Sequence, residues 1–226
     1  MDFPETINLP GAQLLFDPKA LPEPLADRWF THLSETINWR EESIKMFGKS
    51  VTVPRLIAWH GDSQARYRYS GVMHEPQPWG PLLREIRQWV SECCGHRFNS
   101  VLANLYRDGG DAMGWHADNE PELGEAPTIA SLSLGAERRM RFRPKGVSTE
   151  AGEGAAEVAK AQRRQRSFHL DLTHGSLLIM QGQTQHHWQH AISRTRQRVG
   201  PRINLTFRQI HSDSERESSR KSGTRR

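Results

Sequence analysis

The stretch PRINLTFRQI, residues 201–210, constrains the fold more than any other part of the chain. At the period of two of a β-strand, Arg202, Asn204, Thr206 and Arg208 share one face, while Ile203, Leu205 and Phe207 share the other. The apolar face has to be covered. The arginines are costly on an inward face unless anions pair with them, and the planar guanidinium fork suits carboxylates. An exposed edge strand with solvated arginines is the alternative. Asn204 and Thr206, matched by Asn104 and Tyr106 on an unusually polar strand face upstream, favour the inward arrangement.

Taken in order, the chain opens with Pro4, Pro10, Gly11 and Pro18, which predicts a non-helical N-terminal extension over residues 1–21. After Pro22 and Pro24, the residues Leu25, Trp29, Leu33 and Ile37 fall at helical spacing. Residues 40–71 hold short β-prone runs punctuated by Gly48, Pro54 and Gly61, a strand-rich flap. A second amphipathic helix follows Pro78 or Pro81, with Leu82, Leu83, Ile86, Trp89, Val90 and Cys93 as its stripe and Gly95 at its C-cap. From there the pattern is β, through residues 101–106, TIASLSLG, RRMRFRPK, FHLDL and HGSLLIMQG, with a low-apolar inserted loop at 145–167. Beyond Ile210 no apolar pattern remains, so 211–226 reads as a disordered basic tail. The expected fold is mostly β with flanking helices around a double-stranded β-helix (jelly-roll) core, in one domain over 22–210.

The adjacent Cys93 and Cys94 allow no disulfide framework, which points to a reducing compartment. The sequence shows neither a signal peptide nor an apolar run long enough to span a bilayer. The expectation is a cytoplasmic protein, nuclear in a eukaryotic source, without a membrane partner. A formal net charge of +5 and a pI near 9.6 suit an anionic partner such as nucleic acid.

His116 and Asp118 form an H-x-D pair that can aim an imidazole and a carboxylate at one point where a strand runs into a loop. TQHHWQHAIS supplies His186, His187 and His190, any of which could be a third ligand, in a segment that reads as a loop at the mouth of a barrel. Two imidazoles and one carboxylate on one face of a metal suit a non-haem Fe(II) with open positions.

The ordered succession N-x-Y-x-D-G from Asn104, H-x-D-x-E from His116, HW-x-H ending at His190, and R-x-N-L-T-F-R from Arg202 resembles the AlkB family. Its members are Fe(II)- and 2-oxoglutarate-dependent dioxygenases that demethylate nucleic acids, and the resemblance runs from about Phe47 to Ile210. It implies His116, Asp118 and His190 as iron ligands. It implies Asn104, Tyr106, Arg202, Asn204, Thr206 and Arg208 as the 2-oxoglutarate site, with Arg202 on the distal carboxylate and Arg208 near Asp118. It makes 40–71 a nucleotide-recognition lid in which Phe47 is a wedge for the base stack, a role that a flanking Gly48 and Lys49 suit. PRLIAW keeps Arg55 but has Leu56 and Ile57, which is closer to members acting on single strands.

Substrate contacts then fall to Phe47, Arg55, Tyr67, Tyr69, Trp115 and Glu120. Lys49, Arg139, Arg141 and Arg143 are expected on the phosphate backbone. The implied activity is DNA repair on 1-methyladenine and 3-methylcytosine by a monomer, in single- or double-stranded DNA, releasing succinate, CO2 and formaldehyde. Alternatives are the same chemistry on RNA, a protein side chain or a small molecule, and a non-catalytic basic jelly roll that binds nucleic acid.

Overall fold

The computed structural model describes residues 3–46, 49–69, 72–145 and 167–212, with backbone alone at 44–46, 49, 67–69 and 72–74. Eight strands make the core: β8 (Ser100–Tyr106), β9 (Met113–His116), β10 (Ile129–Gly135), β11 (Arg138–Pro144), β12 (Phe168–Leu172), β13 (Leu177–Gln181), β14 (Trp188–Ile192) and β15 (Arg202–Arg208). They are divided between two sheets, alternating along the chain except for the β11–β12 hairpin. The major sheet carries β13-β10-β15-β8 and the minor sheet β12-β11-β14-β9, all antiparallel. This is the jelly roll expected from the sequence.

The major sheet is buried on both faces, and the period-two pattern shows why. Ala130, Leu132, Leu134, Ile203, Leu205 and Phe207 face a core closed by α1 (Glu23–Thr36) and α2 (Pro81–Cys94). In α2 the buried residues Leu83, Ile86, Val90 and Cys93 recur at helical spacing, and Gly95 caps it at φ 60. Each large apolar side chain so covered contributes about 1.5–3 kcal/mol. The other face meets the minor sheet through Leu14, Phe16, Ile129, Met140, Phe142, Leu178 and Trp188. None of the helices among the described residues is long and apolar enough to cross a membrane.

Two expectations are corrected. The described part of the N-terminal extension, residues 3–21, does not stand apart, because it forms β1 (Glu5–Leu9) and β2 (Ala12–Asp17). β2 pairs with β13 from Leu177↔Asp17 to Gln181↔Gln13, extending the major sheet. Pro10 and Gly11 make the turn of this hairpin, and burial of Leu14 and Phe16 outweighs the breakers around it. The segment around His190 is also not a loop. A helical turn, Thr184–His187, leads into β14, where Trp188, His190 and Ile192 are buried on the inner face.

The flap is a set of short strands. β3 (Ser43–Met46) pairs with β4 (Lys49–Thr52), β5 (Leu56–Gly61) extends the major sheet beside β8, and β6 (Tyr67–Tyr69) pairs with β7 (Val72–His74). Phe47, residues 146–166 of the inserted loop and residues 213–226 of the tail lie outside the described residues.

Gly135 turns β10 into β11 at φ +88, and a Cβ there would sit 2.5 Å from the Pro201 carbonyl oxygen and 2.7 Å from the Phe30 ring. Gly135→Ala is therefore expected to destabilise the fold by about 3 kcal/mol, from left-handed strain plus overpacking, readable as a lower urea midpoint. An unchanged midpoint would mean that the turn can move.

Candidate functional site

Between the sheets lies a narrow, partly open cavity. All nine residues expected to hold metal and cosubstrate line it: His116, Asp118, His190, Asn104, Tyr106, Arg202, Asn204, Thr206 and Arg208. Leu102, Met113, Met140, Met180 and Ile192 supply its apolar walls.

The ligating atoms of His116, Asp118 and His190 lie within 4.8 Å of one another. His116 and His190 are opposite each other on β9 and β14, with ring centroids 4.2 Å apart. The ladder shifts register here, because two steps on β14 (His190 to Ile192) span three on β9 (His116 to Met113). The extra residue is a bulge, a device that re-aims a side chain. The His116 Nδ1–H donates to the Gly114 carbonyl within it at 2.9 Å, leaving Nε2 for a metal.

Asp118 is 3% exposed. Its Oδ1 accepts from Arg208 Nη2 at 2.6 Å, while Oδ2 is buried without a hydrogen-bond partner. Burial would raise its pKa, but Arg208, His116 and His190 outweigh that and hold the carboxyl below its usual range. Burial, with the neighbouring His116, pushes His190 down to about 3, so its imidazole is neutral and ready to ligate.

The other end of the cavity is cationic. Arg202 is 1% exposed, and Nη2 donates to Ser133 Oγ at 2.9 Å while Nε and Nη1 have no hydrogen-bond partner. Burial lowers its pKa to about 10, with Tyr106 opposing, so the guanidinium stays charged at neutral pH. It lies 5.2 Å from the Tyr106 ring centroid. Asn204 donates to Ser131 Oγ at 2.8 Å and accepts from Thr206 Oγ1 at 2.9 Å. A buried cation with two idle donors fits an arriving carboxylate, and an idle carboxylate oxygen beside two imidazoles fits a divalent metal. The residues present thus fit both groups.

A family model described as 2OG-Fe(II) oxygenase superfamily matches residues 13–208. The chain belongs to this superfamily. Within it the chain is of the AlkB family: it is 39% identical over 189 residues to the alpha-ketoglutarate-dependent dioxygenase alkB homolog 3 of Homo sapiens, covering 83% of this chain and 63% of that one. It is 38% identical over 188 residues to the DNA oxidative demethylase ALKBH2 of Mus musculus, covering 82% and 75% respectively. The chain thus spans less than two thirds of the length of the alkB homolog 3 relatives. Among solved structures, one described as that of OsALKBH1 matches with TM-score 0.55 at 16% identity, over 91% of this chain and 100% of that one. A prolyl hydroxylase from Trichoplax adhaerens matches at 0.54 and 12%, over 91% and 86%. These two bear on the fold alone.

The expected substrate contacts are less well gathered. Arg55 is 7% exposed and stands behind the cavity lining, where its Nε donates to Oδ1 of the lining residue Asn104 at 2.7 Å. Trp115 is on the opposite face of β9 from the cavity, packed under the Arg143 guanidinium at 4.4 Å. Burial lowers the Lys145 pKa, and the half-buried Glu120 nearby opposes that shift without reversing it. Tyr67 and Tyr69 lie in β6, and Lys49 in β4. On the outer face of β11, Arg139, Arg141 and Arg143 are all exposed, but Arg139 is paired with Asp171 at 2.7 Å and Arg143 donates to Gln189 at 3.0 Å.

Sequence reasoning missed Ser131 and Ser133, whose alternation in TIASLSLG was a usable signal. It also missed Arg138, which is 4% exposed and donates to the carbonyls of Asp108, Asp111 and Ser193, fastening the loop after β8 to the end of β14. Gln185, 0% exposed, was missed too.

Proposed function

We propose that the protein repairs DNA by removing N-linked methyl groups from bases such as 1-methyladenine and 3-methylcytosine. It would consume O2 and 2-oxoglutarate and release succinate, CO2 and formaldehyde. The observation that carries this reading is the single cavity that holds both the His116–Asp118–His190 set and the half-satisfied Arg202. The likeness to proteins described as DNA oxidative demethylases supports nucleic acid as the substrate.

His116, His190 and the free oxygen of Asp118 would hold Fe(II). Arg202, Tyr106, Asn104, Asn204 and Thr206 would hold 2-oxoglutarate, with Arg208 steadying Asp118. Together the bound metal and cosubstrate supply the oxidising power that hydroxylates the methyl carbon. The chain supplies the rest. Met113, Met140, Met180 and Ile192 keep water from the cavity. Arg55 orients Asn104 toward the cosubstrate. Glu120 favours a cationic methylated base over the neutral product, since opposite charge counts for more at low dielectric. Phe47, Tyr67 and Tyr69 of the lid would stack on bases, and Lys49 and Arg141 would meet phosphates. The Trp115–Arg143 stack faces outward, where it too suits the backbone rather than the flipped base. The protein would act as a monomer wherever the DNA is: the cytoplasm, or the nucleus in a eukaryote.

The test is mass-spectrometric demethylation of matched oligonucleotides carrying either lesion in single-stranded DNA, duplex DNA and RNA. Methyl loss is expected to need both Fe(II) and 2-oxoglutarate and to vanish in Asp118→Ala, with DNA preferred. Faster turnover of RNA would replace DNA as the substrate. No methyl loss despite bound cofactors would move the reading to another class of substrate.

A further inference from the structure

Asp118 lies beyond the last paired residue of β9, so the strand ladder that fixes His116 does not fix it. Two bonds hold it instead. Its carboxylate is clasped by Arg208, and its main-chain N–H donates to Gln185 Oε1 at 2.9 Å. The sequence separation of that second bond is 67 residues, and it joins the two arms of the site, because Gln185 sits in the helical turn that leads into the His190 strand.

The Gln185 amide has little freedom. The residue is 0% exposed, and its Nε2 is directed at Met180 Sδ at 3.4 Å. Only the oxygen can serve the Asp118 N–H, because that group is a donor, so the amide has one acceptable orientation. The turn itself is anchored: the Gln185 carbonyl accepts from Lys145 Nζ at 2.7 Å, and His186 Nε2 donates to the Glu125 carbonyl at 2.6 Å. A rigid support therefore grips the ligand loop at Asp118 and again at Glu125.

We infer that Gln185 is a positioning residue of the metal site, holding the main chain of Asp118 so that the free carboxylate oxygen meets the metal shared with His116 and His190. The inference rests on the metal-site reading of the proposed function. It does not need the substrate to be known. A buried amide fixed on a ligand's own backbone acts on metal affinity, as outer partners of metal ligands do.

The probe is Mn(II), titrated into the full chain and followed by the electron paramagnetic resonance signal of the free ion. Gln185→Leu removes the acceptor and is expected to weaken Mn(II) binding by about 10–100-fold. Gln185→Glu keeps an acceptor oxygen in either protonation state and is expected to stay close to the wild type. Gln183→Ala, in the loop leading into the same turn but off Asp118, is expected to leave binding unchanged. If Gln185→Leu does not fold, as judged by circular dichroism, Gln185→Met fills the same space with only a weak thioether acceptor and takes its place. Wild-type affinity in the folded Leu or Met variant overturns the inference, as does an equal loss in Glu and Leu. Absence of Mn(II) binding in the wild type is a separate outcome, which overturns the metal-site reading and this inference with it.

Discussion

Arg202→Met is expected to make the ligand-free protein more stable and its hold on 2-oxoglutarate much weaker. The guanidinium is charged, 1% exposed, and satisfied through one of its three nitrogens. Replacing such a group with an apolar side chain of similar length is worth about 1–4 kcal/mol to the folded state. The incoming carboxylate loses its partner, at a cost of about 2–5 kcal/mol, or very roughly 30- to 5,000-fold in affinity. Thermal unfolding with and without Mn(II) and 2-oxoglutarate reads both effects in one experiment. The variant should melt higher alone and gain less from the ligand. A lower melting point without ligand would show that the Tyr106 ring and Ser133 already satisfy the charge.

Asp118 is expected to show the opposite balance. Asp118→Ala should abolish methyl removal and metal-induced stabilisation. It should also cost the metal-free fold up to about 3–5 kcal/mol, because Arg208 loses its buried counter-charge. The side chain of Arg208 is 17% exposed, so water offsets part of that cost. Asp118→Asn separates the two losses. It preserves an acceptor for Arg208 and the main-chain bond to Gln185 but not the counter-charge, so it should lose less stability than Asp118→Ala and still fail to retain metal. Substantial metal binding by Asp118→Asn would mean that the two histidines suffice.

The parts of the site legible in the sequence were those written in strand periodicity. On β15 the alternation of Arg202, Asn204, Thr206 and Arg208 with Ile203, Leu205 and Phe207 separates the cavity face from the helix-covered face, as the structure confirms. The same rule takes Trp115 away from the cavity. It neighbours His116 in the chain, and in a pleated strand that neighbourhood sends the two side chains to opposite faces. Arg55 looked like a lid residue because its segment is lid-like, but its partner Asn104 is 49 residues away. Gln185 and Arg138 were invisible for a related reason: buried polar residues are explained by distant partners, and no local pattern marks them. The β1–β2 hairpin was hidden by its prolines and glycine, although Leu14 and Phe16 carried the alternation of a half-buried strand.

The order in which the strands occur along the chain sets when the site can exist. β2 waits for β13, β9 for β14 and β8 for β15, so each N-terminal partner is synthesised long before the strand it pairs with. Pairings of such separation close late in folding. On a growing chain, His116 and Asp118 emerge as an incomplete ligand pair, without His190 to complete the set or Arg208 to steady the carboxylate. On the proposed assignment, the set is complete with its Arg208 support only once β15 stands between β10 and β8. The last of the described strands, besides lining the cavity, therefore closes the enclosure in which the proposed ligands meet.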